Sequence, residues 1–318
     1  MNRPKVSVVC LSFNHRRFVQ EAIESVLAQS YPHVELILVD DASTDGSQAL
    51  VASLATRYPH IRLVQLAQNE GNCRAFNRGL ALATGDLIID FAADDVMLPD
   101  RIEKQVQFFV GQSDRIGVVF TDATYISDIG AVIRHHYDHL FKKKLIDHVP
   151  QGDVFRAVLT RYFICGPTMM VRREVFQQLK GYDETLSYED FDFWVRASRE
   201  FEFAFLNERL TLVRKTARSM SAGWYRPGDP QLASTARVCE KAMALCRDEL
   251  DRQALRQRLL YEFRQALFSG NRTEAGTFQS LLKSFQPLPF SYYFLKVVAT
   301  FPLPWPWIRA TYQRVIYD

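Results

Sequence analysis

The chain contains 318 residues, 47% of them hydrophobic and 24% charged, and its formal net charge is +3. This length has room for one large domain, or for one domain with an appendage, and the composition is ordinary for a globular protein. The small net charge argues against nucleic acid as a partner.

The first half of the chain alternates between apolar runs and amphipathic stretches. Apolar runs predict buried strands at 6–11, 36–39, 61–66, 86–91 and 116–120, and amphipathic stretches predict helices at 18–27, 47–57, 72–83 and 100–110. Because strands and helices alternate, we expect an α/β, Rossmann-like fold with a mostly parallel sheet and helices on both faces. The glycine patterns of dinucleotide-binding and P-loop proteins are absent, which argues against both classes.

The second half is less regular. Its patterns predict helices at 153–160, 173–179 and 189–199, and strands at 168–171, 203–206 and 210–213. Two prolines and two glycines between residues 223 and 230 indicate a boundary. We therefore expect an α/β domain over residues 1–222, followed by a helical, basic and aromatic-rich extension over residues 223–318.

Two acidic clusters each follow an apolar run that predicts a strand. One is LVDDASTDGS at residues 38–47, and the other is FAADD at residues 91–95. Burying a carboxylate is costly, so acids at the ends of buried strands suggest a crevice for a polar ligand and a divalent cation. The alternative is that they cap the helices that follow. Capping explains Ser43 to Asp45 but not Asp94 and Asp95, which lack the usual cap spacing.

The five cysteines are widely spaced and include no CxxC pair. We therefore expect reduced thiols in a reducing compartment rather than disulfides. No secretory signal precedes the first predicted strand, so a cytoplasmic location is expected.

Four motifs follow one another over roughly residues 5–221. They are VSVVCLSFN at 6–14, LVDDASTDGS at 38–47, a segment from Asn69 to the acidic pair at 94–95, and YEDFDFW at 188–194. Together, in this order and spacing, they are similar to the motifs of family 2 glycosyltransferases. The resemblance implies a GT-A fold and an inverting enzyme that uses a nucleotide-diphospho-sugar as donor, most commonly a UDP-sugar.

The resemblance also implies roles for individual residues. Asp190 is the expected catalytic base, and Asp95 the expected ligand of Mg²⁺ or Mn²⁺. The expected donor-binding residues are Ser12, Asn14, Asp41, Asn77, Asp94 and Arg214. One departure concerns Thr216, which stands where the family often has a metal-binding histidine.

The chemistry of sugar transfer explains why acids are needed. The leaving diphosphate gathers negative charge, which a divalent cation stabilises. The attacking hydroxyl of a polysaccharide or lipid-linked glycan loses a proton, which a carboxylate accepts. The sequence also leaves two alternative classes of protein open. One is a catalytically silent nucleotide-sugar-binding or scaffold subunit, and the other is a nucleotidyltransferase, although the glycine-rich loop typical of the latter is absent.

Three further segments carry weaker signals. RHHYDH at 134–139 predicts a solvated loop, since its spacing matches no common zinc motif. CGPT at 165–168 is either an acceptor-side loop or a Gly-Pro turn. The aromatic stretch 285–308 contains Lys296 and five prolines, so it predicts a membrane-interface anchor on the cytosolic face rather than a spanning helix. Alternatively, this stretch packs on the rest of the protein.

Overall fold

The structure, a computed structural model, describes residues 3–216, 225–285 and 288–298. The strands in this part of the chain are β1 (Val6–Ser12), β2 (Val34–Asp40), β3 (Arg62–Gln65), β4 (Leu87–Ala92), β5 (Val96–Met97), β6 (Ile116–Ile126), β7 (Val132–His135), β8 (Met170–Arg172) and β9 (Glu202–Arg214).

The described helices alternate with the strands in the first half and dominate after residue 230. They are α1 (Val19–Leu27), α2 (Ser47–Arg57), α3 (Asn72–Leu80), α4 (Arg101–Val110), α5 (His136–Lys142), α6 (Phe155–Thr160), α7 (Arg173–Leu179), α8 (Asp190–Ala197), α9 (Pro230–Leu245), α10 (Glu249–Ser269), α11 (Arg272–Leu282) and α12 (Phe290–Val298). A short 3-10 turn spans Gly166–Thr168.

The strands form one sheet in the order β3-β2-β1-β4-β8-β6-β9-β5, and β7 pairs with β6. The first four strands in this order, β3, β2, β1 and β4, come from the N-terminal half of the chain. They are parallel to one another, as predicted. Beyond them the sheet is mixed, because β8 runs antiparallel to β4 and β6, while β6 and β9 are parallel. The α/β fold is therefore confirmed, with an all-parallel half of the sheet joined to a mixed half.

The central parallel strands β1, β2 and β4 are largely buried, which explains their unbroken apolar runs. Along β1, Val8 and Cys10 belong to one hydrophobic cluster, whereas Val9 and Leu11 belong to the cluster on the other face. The register pairs Ser12 with Asp40. Because these strands are parallel, the residues that follow β1, β2 and β4 meet at one edge of the sheet.

Two predictions about local structure were wrong. The segment at 134–139 is not a solvated loop, because it forms the end of β7 and the start of α5, where Tyr137 is buried. The strands predicted at 203–206 and 210–213 are one strand, β9. It continues through the polar residues 207–209 because β6 pairs with it throughout, with shifts of register near Asp122.

The helices after residue 230 pack on the α/β domain. Leu232 on α9, together with Leu259 and Phe263 on α10, belongs to the same hydrophobic cluster as Phe191 and Trp194 on α8. The predicted boundary at residues 222 and 223 lies outside the described residues, so the division into two domains stays a prediction. All five cysteines are free, and four of them are buried, as expected.

Candidate active site

The turns after β1 and β2 are tied together by hydrogen bonds. Asn14 has a φ of 59°, and its side-chain oxygen accepts the Thr44 backbone N–H at 2.8 Å. The backbone N–H of Asn14 donates to Ser43 Oγ at 2.9 Å. Ser12 is only 1% exposed, and its hydroxyl has no hydrogen-bond partner among the described residues. Two predicted donor-binding residues, Ser12 and Asn14, therefore lie at the predicted edge.

Asp41 lies at the same edge and organises the loop before α3. Its Oδ1 accepts the backbone N–H of Glu70 at 2.7 Å, and its Oδ2 accepts that of Gly71 at 2.9 Å. The residue is 5% exposed. Each carboxylate oxygen has more than one acceptor position, so these two contacts leave Asp41 capacity for a further donor.

Asn77 is bound to a different part of the protein. Its amide donates to the Tyr182 carbonyl oxygen at 2.9 Å and to Glu184 Oε1 at 3.0 Å. Its side-chain oxygen accepts the Tyr182 backbone N–H at 2.9 Å. Asn77 therefore joins α3 to the segment at 182–184, and its donor-binding role rests on the resemblance alone.

The end of β9 lies beside the turn that carries Asp94 and Asp95. Asp95 Oδ1 accepts the backbone N–H of Arg214, and Arg214 Nε donates to the Asp94 carbonyl oxygen, both at 2.8 Å. The other guanidinium nitrogens donate to the Ser127 carbonyl oxygen at 3.2 Å and to the Glu21 carboxylate at 2.7 Å. Arg214 thus clamps the turn, and all three of its guanidinium nitrogens have protein partners.

The turn at Asp94 and Asp95 has an unusual electrostatic environment, which shifts the pKa of Asp95. Burial, followed by the adjacent Asp94 carboxylate, raises the pKa of Asp95 well above its usual range. Such a site favours a bound cation, because a positive charge relieves both the burial and the repulsion.

Asp190, the predicted base, begins α8 and lies against the turn at 165–168. A Cβ atom at Gly166 would overlap Asp190 Oδ1, so a larger residue at this position would displace the carboxylate. Burial, followed by the neighbouring Glu189 carboxylate, raises the pKa of Asp190 well above its usual range. The turn at 165–168 is therefore part of the wall around the candidate base.

Two more acids surround Asp190. Glu189 accepts a hydrogen bond from the side-chain amide of Asn72 at the start of α3. Asp90, which the sequence analysis did not single out, accepts the Tyr182 hydroxyl on Oδ2 at 3.1 Å. The available signal for Asp90 was a lone carboxylate inside the apolar run of β4. Burial and the Glu189 carboxylate raise the pKa of Asp90 as well.

Lys215 was also missed, and it links the two groups of acids. Its Nζ lies 4.8 Å from the ring centroid of Tyr125, and the guanidinium carbon of Arg134 lies 4.9 Å from the same centroid. Burial lowers the pKa of Lys215, whereas the Asp95 carboxylate acts in the opposite direction. The Lys215 charge in turn lowers the pKa of Asp190, against the larger effects of burial and Glu189. Lys215 therefore lies within electrostatic reach of both acids.

The acids at 94–95 suit a hard divalent cation. The Asp94 side chain is 16% exposed, and His15 Nε2 is 3.9 Å from its Oδ2. Across the described ranges, no group of three or more His, Cys, Asp or Glu side chains forms a complete metal site. Mg²⁺ commonly takes only one or two carboxylates, with phosphate oxygens and water as its other ligands. The residues therefore fit a cation that binds together with a diphosphate.

Solved structures define the class of fold. TarS of S. aureus, residues 1–349 in complex with UDP-GlcNAc, superposes with a TM-score of 0.62 and 17% identity, covering 80% of this chain and 71% of that one. The mannosyltransferase PcManGT of Pyrobaculum calidifontis, in complex with GDP-Man and Mn²⁺, gives a TM-score of 0.61 and 17% identity, covering 99% and 85%. The fold is therefore that of the GT-A glycosyltransferases.

Sequence comparison then gives the family. The model described as "Glycosyl transferase family 2" matches residues 7–180, so the chain belongs to this family and is a glycosyltransferase. EpsE of Bacillus subtilis (strain 168), which has a provisional name as a glycosyltransferase, is 36% identical over 219 residues, 67% of this chain and 73% of EpsE. MJ1057 of Methanocaldococcus jannaschii, named an uncharacterized glycosyltransferase, is 26% identical over 217 residues, 67% of this chain and 72% of MJ1057.

Proposed function

We propose that this glycosyltransferase is an inverting, metal-dependent enzyme that moves a sugar from a nucleotide-diphospho-sugar, expected to be a UDP-sugar, to a hydroxyl group of a polysaccharide or lipid-linked glycan. The observation that carries the proposal is a chain of contacts between the two acids. Asp95 binds the backbone of Arg214, and Nζ of the next residue, Lys215, lies 4.8 Å from the ring centroid of Tyr125. The Tyr125 hydroxyl lies 3.8 Å from Cys165 Sγ, and the adjacent Gly166 lies against Asp190. We therefore assign the acids for the leaving group and for the acceptor to one site. The complexes of TarS with UDP-GlcNAc and of PcManGT with GDP-Man and Mn²⁺ support a nucleotide-sugar donor.

The donor is assigned to the edge formed by the turns after β1, β2 and β4. Asp95 would hold Mg²⁺ or Mn²⁺ there, and Asp94 would bind the donor beside it. The cation, when bound, stabilises the negative charge of the leaving group. The nucleotide is assigned to Asp41 and to the side chains of Ser12 and Asn14. Lys215 supplies a positive charge beside the diphosphate, while Arg214 keeps the turn in place.

The acceptor hydroxyl is assigned to Asp190. Its oxygen attacks the anomeric carbon, its proton passes to the Asp190 carboxylate, and the bond from that carbon to the diphosphate breaks. One such displacement inverts the anomeric configuration and needs no covalent intermediate. A raised pKa suits this role, because a stronger base takes the proton more readily near neutral pH.

A panel of nucleotide-sugars tests the proposal, first as ligands and then as substrates. With Mn²⁺ present, the correct donor should raise the melting temperature, since a ligand that binds the native state stabilises it. Transfer should require the divalent cation, should fail in Asp95→Asn, and should give a product of inverted configuration by NMR. Binding with neither transfer nor slow donor hydrolysis would instead support a catalytically silent subunit.

Helix α12 supports a membrane surface as a further partner. Four side chains at i, i+3, i+4 and i+7 form one apolar face. They are Phe290, Tyr293, Phe294 and Val297, which are 83%, 47%, 58% and 60% exposed. Tyr292 is buried against Phe263, with ring centroids 5.3 Å apart, so the helix is attached to the protein by its other side. Within the described ranges, no helix combines the length and the apolar character needed to cross a bilayer.

We propose that this face of α12 lies in the interfacial region of the cytosolic leaflet, where a lipid-linked acceptor is also found. Amphipathic helices with an exposed aromatic face bind such interfaces. Flotation with anionic liposomes should recover the wild-type chain, and Phe290→Glu with Phe294→Glu should abolish recovery. Leu250→Glu, at a residue on α10 that is 55% exposed, is the matched control. Equal flotation of both variants would contradict the anchor.

A further inference from the structure

One face of α9 carries a row of polar side chains. Ser234, Arg237 and Lys241 are spaced i, i+3 and i+7, so they lie on the same side of the helix, and Thr235 adjoins them. All four contact residues 183–192, which we call the base segment because it carries Asp190. These contacts cross from the C-terminal helices to the α/β domain.

Two of the contacts hold the backbone of the base segment. Ser234 Oγ accepts the backbone N–H of Ser187 at 2.9 Å. Arg237 Nη1 donates to the Thr185 carbonyl oxygen at 3.0 Å. Both groups lie in the few residues before Asp190, where the chain has no regular secondary structure of its own. The α9 side chains therefore supply hydrogen bonds that a helix or sheet would otherwise provide.

A third contact lies two residues before Asp190. Thr235 donates its single hydroxyl proton to the Gln231 carbonyl oxygen at 2.9 Å. The bond of 2.6 Å between Thr235 Oγ1 and Tyr188 Oη must then use the Tyr188 proton. This assignment makes Tyr188 the donor to α9 and fixes the direction of its ring. Burial raises the pKa of Tyr188, so the hydroxyl keeps that proton at neutral pH.

The fourth contact neutralises two other acids of the base segment, Asp183 and Asp192. Lys241 Nζ donates to Asp192 Oδ1 at 2.6 Å and also to Asp183. Asp192 is 2% exposed, and its Oδ2 accepts Arg196 Nε at 2.7 Å. Asp192 is thus compensated by two cations. Among the residues that the structure describes, no such ion pair forms at Asp190, whose pKa is raised rather than lowered.

We propose that α9 positions the catalytic base: its side chains fix residues 183–192 so that the Asp190 carboxylate is held against Gly166. The inference rests on the proposed function, because it assigns a role relative to that base. Thr235 and Lys241 are positioning residues, since they act through Tyr188 and Asp192. Misplacing a catalytic group by about 1 Å can cost roughly 100-fold in rate, so loss of these contacts should lower kcat and leave the donor edge intact.

The test combines Thr235→Val with Lys241→Met in the full chain. Matched controls are Thr277→Val on α11 and Lys283→Met, at an exposed residue just after that helix. Calorimetry with the donor, steady-state kinetics, melting temperature and the pH dependence of kcat are measured for each protein. We expect kcat to fall at least about tenfold, the donor Kd to stay within about twofold, and the acidic limb of the pH profile to move. Thr235→Ser, which keeps the hydroxyl, should retain kcat.

The outcomes separate this inference from the function it rests on. A wild-type chain that binds and transfers no donor overturns the proposed function. An active wild type with α9 variants whose kcat equals that of the controls overturns the inference alone. A parallel loss of donor affinity and kcat also overturns it, because that pattern indicates general unfolding. If the double variant does not fold, Thr235→Val alone decides, since it replaces a hydroxyl by a methyl group of similar size.

Discussion

The donor edge and the base segment are both rich in acids, but they are held in place by different means. We use donor edge for residues 12–14, 40–47 and 94–95. At this edge the turns of adjacent parallel strands bond to one another, as Asn14 does to Thr44. The base segment instead depends on α9, whose Ser234 and Thr235 lie 47 residues beyond their partners Ser187 and Tyr188. We therefore expect donor binding and base positioning to be separable properties of this fold.

The largest expected effect comes from removing the base itself. Asp190→Asn should lower kcat by about 10²–10⁴-fold, because the acceptor proton loses its carboxylate, and it should leave the donor Kd unchanged. Since burial and Glu189 raise the pKa of Asp190, wild-type activity should be lost as the pH falls through that raised pKa. The acidic limb should therefore lie above the usual range of an aspartate.

The control for Asp190→Asn is Asp147→Asn, because the Asp147 side chain is 92% exposed. Its kcat should match that of the wild type at every pH. If Asp190→Asn keeps full activity, the assignment of the base fails while the donor edge stands. If it loses donor affinity to the same extent as kcat, the two regions are not separable.

Gly166→Ala is expected to give the next largest effect. The added Cβ would overlap Asp190 Oδ1, so the carboxylate must move, and kcat should fall roughly 100-fold. Gly276→Ala on α11 adds a Cβ with no neighbour within 4 Å and should leave kcat unchanged. Steady-state kinetics on the two variants check the prediction. Equal kcat values would show that the position of Asp190 tolerates the displacement.

The sequence predicted the donor edge better than the base segment, for a physical reason. Strand periodicity places Ser12, Asp41 and Asp95 at one edge without knowledge of any distant contact. Lys215 and the Thr235 hydroxyl acquire their surroundings only when β9 meets β6 and α9 packs on α8. The error at 134–139 has the same origin, because burial of Tyr137 depends on pairing between β6 and β7.

Lys215→Met tests the donor edge separately from the base segment. Removing a positive charge near the diphosphate should weaken binding of the nucleoside diphosphate by roughly 10- to 100-fold, the usual worth of a hydrogen bond to a charged group. Affinity for the corresponding nucleoside monophosphate should change less. Calorimetry with UDP and UMP, and with GDP and GMP, makes the measurement, and exposed Lys283→Met is the control. Equal losses of affinity for the monophosphate and the diphosphate would show that Lys215 does not lie beside the diphosphate.

The smallest expected effect concerns the stability of the parallel strands beneath the donor edge. Partial burial raises the pKa of Glu35, but hydrogen bonds from Lys5, Ser7 and Thr84 outweigh it and lower the pKa from 4.5 to about 2. The folded state therefore gains stability from the ionised Glu35 above pH 4.5, and it loses that gain as the pH falls towards 2. Glu35→Gln should cost about 1 kcal/mol of unfolding free energy near neutral pH.

Denaturant unfolding of the wild type and of Glu35→Gln at several pH values measures this effect. The difference between them should shrink between pH 4.5 and pH 2, because the wild-type carboxylate becomes protonated there. Glu240→Gln, at an exposed residue of α9, should show no such convergence. Glu35, on β2, joins this strand to Ser7 on β1 and to the turn at Thr84, and none of its hydrogen-bond partners in the described part of the chain lies on α9. Its loss should therefore leave kcat unaltered. A reduced kcat would mean that the donor edge and the base segment are supported by the same contacts.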